Sequence, residues 1–109
     1  GYGGVLMAKR MSVTVTGTAA SAAIPLDLNS NSPFNVSLWV DVGAGCTYTI
    51  QCTSDPTSTS TPAVWIDHSD ATALTVDCAV GLAFPATAVR LNQTAGAAAS
   101  VFTVIQQGI

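Results

Sequence analysis

The chain has 109 residues, the size of one domain with no room for a second core. Apolar residues make up 49% of it and charged residues 8%, where soluble domains carry about a quarter charged residues, so the surface must be built from Ser, Thr, Asn, Gln and Ala. The formal net charge is -3, with Lys9, Arg10 and Arg90 as the basic side chains. That excludes a basic stripe along a phosphate backbone, and no window reaches the roughly 20 consecutive apolar residues of a membrane helix. Neither nucleic acid nor membrane is an expected partner, and no secretion signal is visible. A neutral surface of this kind lacks electrostatic protection against self-association, which points to neighbouring subunits and a homo-oligomer.

In chain order, residues 1–11 open with Gly1-Tyr2-Gly3-Gly4 and precede the first periodic segment. They are expected to form a flexible or partner-bound arm, with Tyr2 as a contact candidate. The domain proper is expected over residues 12–109. Val13 and Val15 alternate with Ser12, Thr14 and Thr16, a half-buried strand ended by Gly17. Ile24, Leu26 and Leu28 alternate next, and Pro25 confines that strand to an edge or bulge. After a turn at Asn29–Pro33, the strictest alternation runs through Phe34, Val36, Leu38, Val40 and Val42. Gly43-Ala44-Gly45 predicts a hairpin to a strand carrying Tyr48, Ile50 and Cys52.

Thr53 to Pro62 is Ser, Thr, Pro and Asp with no apolar residue, an exposed loop. Val64-Trp65-Ile66 predicts a short strand, Ser69–Ala73 a single helical turn, and Leu74, Val76 and Val80 another strand. Phe84-Pro85 marks a corner before a final hairpin with arms 88–93 and 100–106. Seven or eight short strands at this spacing predict an all-β fold, a single antiparallel β-sandwich of immunoglobulin-like or jelly-roll-like topology, with a small closed barrel as its rival.

Chemistry-bearing motifs are sparse. Three cysteines make an odd set, and Cys46 and Cys52 on one extended strand stand nearly 20 Å apart, too far to bridge. Cys78 could meet either one across a sheet, but three buried free thiols in a reducing cytoplasm are the expectation. No metal site, cofactor or catalytic residue is expected. With no Glu in the chain, the nearest constellation is Asp67, His68 and Asp70, and adjacent strand residues point to opposite faces, so these read as turn residues bonding backbone amides. Asn35-Val36-Ser37 and Asn92-Gln93-Thr94 match the glycosylation pattern, a common coincidence in a chain rich in Asn, Ser and Thr. Trp39 and Trp65 are expected at core or subunit contacts, with a sugar platform as the alternative. Arg90, flanked by Val89 and Leu91, is expected to pair with an Asp or to lie across Trp65 or Phe102.

The stretch Thr61-Pro62-Ala63-Val64-Trp65-Ile66-Asp67-His68, then Phe84-Pro85-Ala86-Thr87-Ala88-Val89-Arg90-Leu91-Asn92, then Val101-Phe102-Thr103-Val104-Ile105-Gln106-Gln107-Gly108 resembles a group of tailed-bacteriophage virion proteins over residues 33–109. Ile66 stands where that group commonly has an aromatic. The resemblance implies a non-enzymatic head decoration or cement protein, bound to the major capsid protein or neighbouring virion proteins, on the capsid surface or neck and assembled in the host cytoplasm. Tyr2, Trp39, Trp65 and Arg90 are its contact candidates. A neck or tail-fibre adaptor, and an extracellular carbohydrate-binding sandwich, are the alternatives.

Overall fold

The computed structural model describes residues 8–28, 35–56 and 63–107. Tyr2, the Asn29–Pro33 turn with Phe34, and residues 57–62 of the expected loop lie outside them. Among the described residues the chain forms nine strands and no helix: β1 (Ala8–Thr16), β2 (Ala19–Ala20), β3 (Ile24–Pro25), β4 (Asn35–Asp41), β5 (Thr47–Thr53), β6 (Ile66–Asp67), β7 (Cys78–Leu82), β8 (Ala88–Ala95) and β9 (Ala99–Gln107). Two antiparallel sheets result. The first has the order β1-β9-β4-β7, and the second β2-β8-β5-β6 with β3 also on β8. The all-β antiparallel sandwich is the fold expected from period-two alternation, and its strand order is that of a jelly roll.

Alternation sorts the faces correctly. Val36, Leu38 and Val40 of β4 and Phe102 and Val104 of β9 face Tyr48 and Ile50 of β5 and Val89 and Leu91 of β8 in one buried cluster. Each such side chain contributes about 1.5–3 kcal/mol on leaving water. Trp39 and Asp41, in the opposite phase of β4, are exposed.

Pairing differs from the expectation in two places. β4 and β5 do not form a hairpin: β4 pairs with β7 and β9, and β5 with β6 and β8. β8 and β9 likewise lie in opposite sheets. A period of two fixes which face a residue takes and says nothing about the partner strand. The glycine turns between these strands lift the chain from one sheet to the other. A Cβ on Gly43 would stand 2.5 Å from the Ala99 carbonyl oxygen, and Gly96 has φ +103° with its missing Cβ 2.6 Å from Cys46 Sγ. Only glycine lets the two crossovers pack this closely.

Smaller differences follow from burial. β1 begins at Ala8, so residues 8–11, expected in the arm, pair with β9 from Ala8↔Gln107 onward. The Ile24–Leu28 strand shortens to two residues, with Leu28 exposed. The Val64–Ile66 strand reduces to Ile66–Asp67, and both Val64 and Ile66 are exposed. Ser69–Ala73 makes turns, with Ala73 at φ 53° held by its N–H on Thr49 Oγ1 at 2.9 Å. Leu74 forms an isolated bridge with Tyr48, and the following strand starts at Cys78.

Two buried glutamines clamp the sheets together. At one end three crossovers meet: Gly17 after β1, Gly43 after β4, and the 96–98 turn before β9. Gln93 donates to the Gly17 and Ala98 carbonyls at 2.8 and 2.9 Å and accepts from Ser100 Oγ, which itself accepts the Gly43 N–H. At the other end Gln106 accepts the Asp27 N–H at 2.9 Å and donates to the Asp27 carbonyl at 2.7 Å, standing in for a strand partner. Both side chains are fully buried and satisfied, as buried amides must be.

Candidate subunit-contact site

The outer face of the first sheet is built from cross-strand rows. Three successive pairings align Ser12, Thr103, Trp39 and Ala79 in one row, and Arg10, Ile105, Ser37 and Gly81 in the next. Trp39 is 47% exposed, its indole N–H on Ser37 Oγ at 2.9 Å. Beside it lies a shallow depression of about 380 Å³ bounded by Trp39, Asp41, Asp77, Ala79, Val101 and Thr103. The face carries small side chains around one large aromatic, with Arg10, Asp41 and Asp77 as charged groups.

The outer face of the second sheet carries the other tryptophan. The Arg90 guanidinium lies 4.4 Å from the centroid of the Trp65 ring, one of the two placements expected for it. Arg90 Nε donates to Gln51 Oε1 at 2.8 Å, and Gln51 Nε2 donates to Asp67 Oδ1 at 2.9 Å. Gln51 is the cross-strand neighbour of both Arg90 and Asp67, so one glutamine relays between base and acid. Burial lowers the Arg90 guanidinium from its usual value. Trp39 and Trp65 therefore occupy opposite outer faces, and the fold does not bring them together; Tyr2 lies outside the described residues.

Asp67, His68 and Asp70 do not converge. Asp67 turns outward to Gln51, whereas the buried His68 ring turns inward. Its Nδ1 accepts the Asp70 N–H at 3.1 Å, which leaves the proton on Nε2 for the Gly81 carbonyl at 2.9 Å. The imidazole ties the 68–77 loop to β7. No group of three His, Cys, Asp or Glu side chains that could hold a metal ion occurs among the described residues. Cys46, Cys52 and Cys78 are free thiols, the first two buried and the third partly so. Burial pushes the Cys52 thiol up, and Cys46 Sγ donates to the Ala98 carbonyl at 3.5 Å.

The edges of the first sheet are a feature that the pattern along any one strand does not reveal. Among the described residues β1 and β7 each have one sheet neighbour. Beyond β4, β7 has as its backbone partner only the His68 ring among the described residues. Because three successive pairings are antiparallel, β1 and β7 run in opposite senses. β1 is nine residues long with Lys9 and Arg10 exposed near its start; β7 offers the small Ala79 and Gly81 outward. Below the end of β7 an apolar groove of about 250 Å³ opens, floored by Cys52 and Ala86 and rimmed by Ile66 (67% exposed) and Phe84 (54% exposed).

No family model and no curated protein matches the chain, so the likeness to phage virion proteins rests on the quoted motifs alone. A solved structure of Bacillus endospore appendages, a family of disulfide-linked pili, is similar with a TM-score of 0.53 and 21% identity, covering 94% of this chain and 87% of that one. The likeness supports the β-sandwich fold. It overturns the capsid decoration and cement role expected from the motifs, because the matching architecture is that of a pilus protein rather than a head protein.

Proposed function

We propose that the chain is a non-enzymatic structural subunit that polymerises with copies of itself into a pilus-like filament, β1 of one copy extending the first sheet beyond β7 of the next. The single observation that carries this reading is that, among the described residues, one sheet ends in two unlike edges of opposite sense, β1 with no strand beyond it and β7 with only the His68 ring beyond β4. A copy related by translation then presents β1 antiparallel to β7, and a contact between unlike surfaces repeats without closing. Keeping the rows level preserves the faces: Met11 and Val13 of the next copy come opposite Val80 and Cys78, and Arg10 and Ser12 opposite Gly81 and Ala79. Main-chain hydrogen bonds supply affinity in such strand addition and alternate side chains supply specificity. Lys9 and Arg10 are the charged side chains of the joining strand, and Leu82 and Gly81 opposite them carry no charge to repel them.

Light scattering and negative-stain electron microscopy of the purified chain at rising concentration test this. Open-ended filaments are expected; a fixed small oligomer at every concentration would contradict it.

A further inference from the structure

We propose that the outer face of the first sheet pairs with the same face of a second copy about a two-fold axis, Arg10 of each copy lying over Asp41 and Asp77 of the other and the two Trp39 side chains meeting between them. This contact uses no backbone group of either edge, so it stands apart from the joint between β1 and β7. The face holds its charge in two opposite corners. Asp41 and Asp77 edge the depression beside Trp39, and Asp77 continues the β4–β7 register one residue beyond Cys78, opposite Asp41. Asp77 Oδ1 accepts the Val42 N–H at 2.8 Å, but like charges opposite each other on one face repel, and a cation is the group that offsets them. Of the three basic side chains in the chain, Arg10 alone shares this face: Lys9 is in the opposite phase of β1, and Arg90 stacks on Trp65 on the other sheet. Its own chain's carboxylates stand two rows and two to three strands from Arg10, about 17–20 Å, beyond the reach of one side chain. The edge joint leaves them apart too, since Arg10 of that incoming copy falls opposite Gly81, two rows from Asp77.

The face is complementary to itself. The midpoint between Arg10 and the two carboxylates falls in the Ser12-Thr103-Trp39-Ala79 row, between Thr103 and Trp39. A two-fold axis lying in the interface through that midpoint, perpendicular to the line joining the charges, exchanges the two corners, so each guanidinium covers the other copy's carboxylate pair. With strands about 4.8 Å apart and rows about 6.8 Å apart, the same operation brings the two Trp39 side chains to within about 5 Å of each other in projection, a separation at which aromatic rings pack. It crosses the strands of the two sheets near a right angle, one of the two ways in which sheets stack. Trp39 is 47% exposed with its indole N–H held on Ser37 Oγ, so the ring is presented with its orientation already fixed, and Val101, Thr103 and Ile105 beside it are half-buried. Trp and Arg are the side chains that most often anchor such contacts. Four strands span about 19 Å, so the crossed faces overlap over roughly 360 Å² of each copy in projection, the size of a weak and reversible pair.

Sedimentation equilibrium of the full chain below the onset of filaments tests the pairing. A monomer–dimer equilibrium is expected, weakened by added salt. Each substitution enters a two-fold contact twice, so Trp39→Ala and Arg10→Glu are each expected to raise the dimer dissociation constant at least about tenfold. Arg10→Glu/Asp41→Arg is expected to bring it back to within about threefold of the parent value, which separates a restored contact from a folding defect. A chain that stays monomeric up to the onset of filaments, a dimer indifferent to both single substitutions, or a double substitution that restores nothing would overturn the face pairing and leave the edge joint standing. Dimers that respond as expected in a chain that never forms filaments would remove the edge joint and leave the face pairing.

Discussion

Ser100 Oγ donates to Gln93 Oε1 at 2.5 Å in a wholly buried pair, and through that bond the turn after β8, the turn after β4 and the turn after β1 are held as one unit. Gln93→Ala removes donors from the Gly17 and Ala98 carbonyls. The Ala98 carbonyl keeps the Gly17 N–H and Cys46 Sγ as donors, whereas the Gly17 carbonyl and the buried Ser100 hydroxyl each lose a partner at about 1–3 kcal/mol, so a loss of about 2–5 kcal/mol is expected. For a domain of this size that lowers the melting temperature by at least about 8 °C. Differential scanning calorimetry of the unassembled chain checks it.

Two glycines with positive φ are expected to respond unequally to alanine. At Gly17 nothing lies within 4 Å of the missing Cβ, so Gly17→Ala costs only the left-handed backbone, about 1–2 kcal/mol. At Gly96 the Cβ would meet Cys46 Sγ at 2.6 Å and Cys46 Cα at 2.7 Å, and the backbone on both sides belongs to a crossover. Gly96→Ala is expected to accumulate insoluble while Gly17→Ala stays soluble. Comparing soluble yields decides it.

Much of the fold, and less of the contact site, is legible in the amino-acid sequence. The in-phase runs Val36-Leu38-Val40 and Tyr48-Ile50-Cys52 name the core, and the position of Arg90 between Val89 and Leu91 puts its side chain on the outer face, where it stacks on Trp65. Partner choice is hidden, because the crossovers at Gly43 and Gly96 have the composition of hairpin turns and differ from them only in what crowds their missing Cβ atoms. The glutamine clamps do leave a trace: Gln93 is in phase with Val89 and Leu91, and Gln106 with Phe102 and Val104, so each is a polar residue at a core position. The groove has no such trace, since Ile66 and Phe84 meet only through the fold.

Tyr48 is fully buried and its hydroxyl donates to the Val76 carbonyl. Burial foremost, then the neighbouring Cys78 thiol and Asp77, hold the phenol well above its ordinary value of 10.0. The folded state keeps its proton while the unfolded state loses it, so this group leaves stability unchanged below about pH 10 and lowers it as pH rises further. Tyr48→Phe is expected to be less stable by about 1–2 kcal/mol at neutral pH and to show a weaker alkaline decline. Urea midpoints measured from pH 8 to pH 11 on both chains separate the two effects.

Thiol reactivity should follow burial. Three titratable thiols per chain are expected on unfolding. In the folded chain Cys78 is expected to react first, and Cys52, buried and raised by that burial, more slowly. Mass spectrometry after timed alkylation reads the order.

The open-edge joint is tested most directly by a charge swap across it. Gly81 has open space where a Cβ would go, so Gly81→Lys leaves the single subunit intact while setting a lysine opposite Arg10 of the next copy, a like-charge pair costing about 0.2–1 kcal/mol. The critical concentration for filaments, measured by sedimentation, is expected to rise up to about fivefold in Gly81→Lys and to return toward the parent value in Gly81→Lys/Arg10→Glu. Equal critical concentrations in all three chains would contradict it.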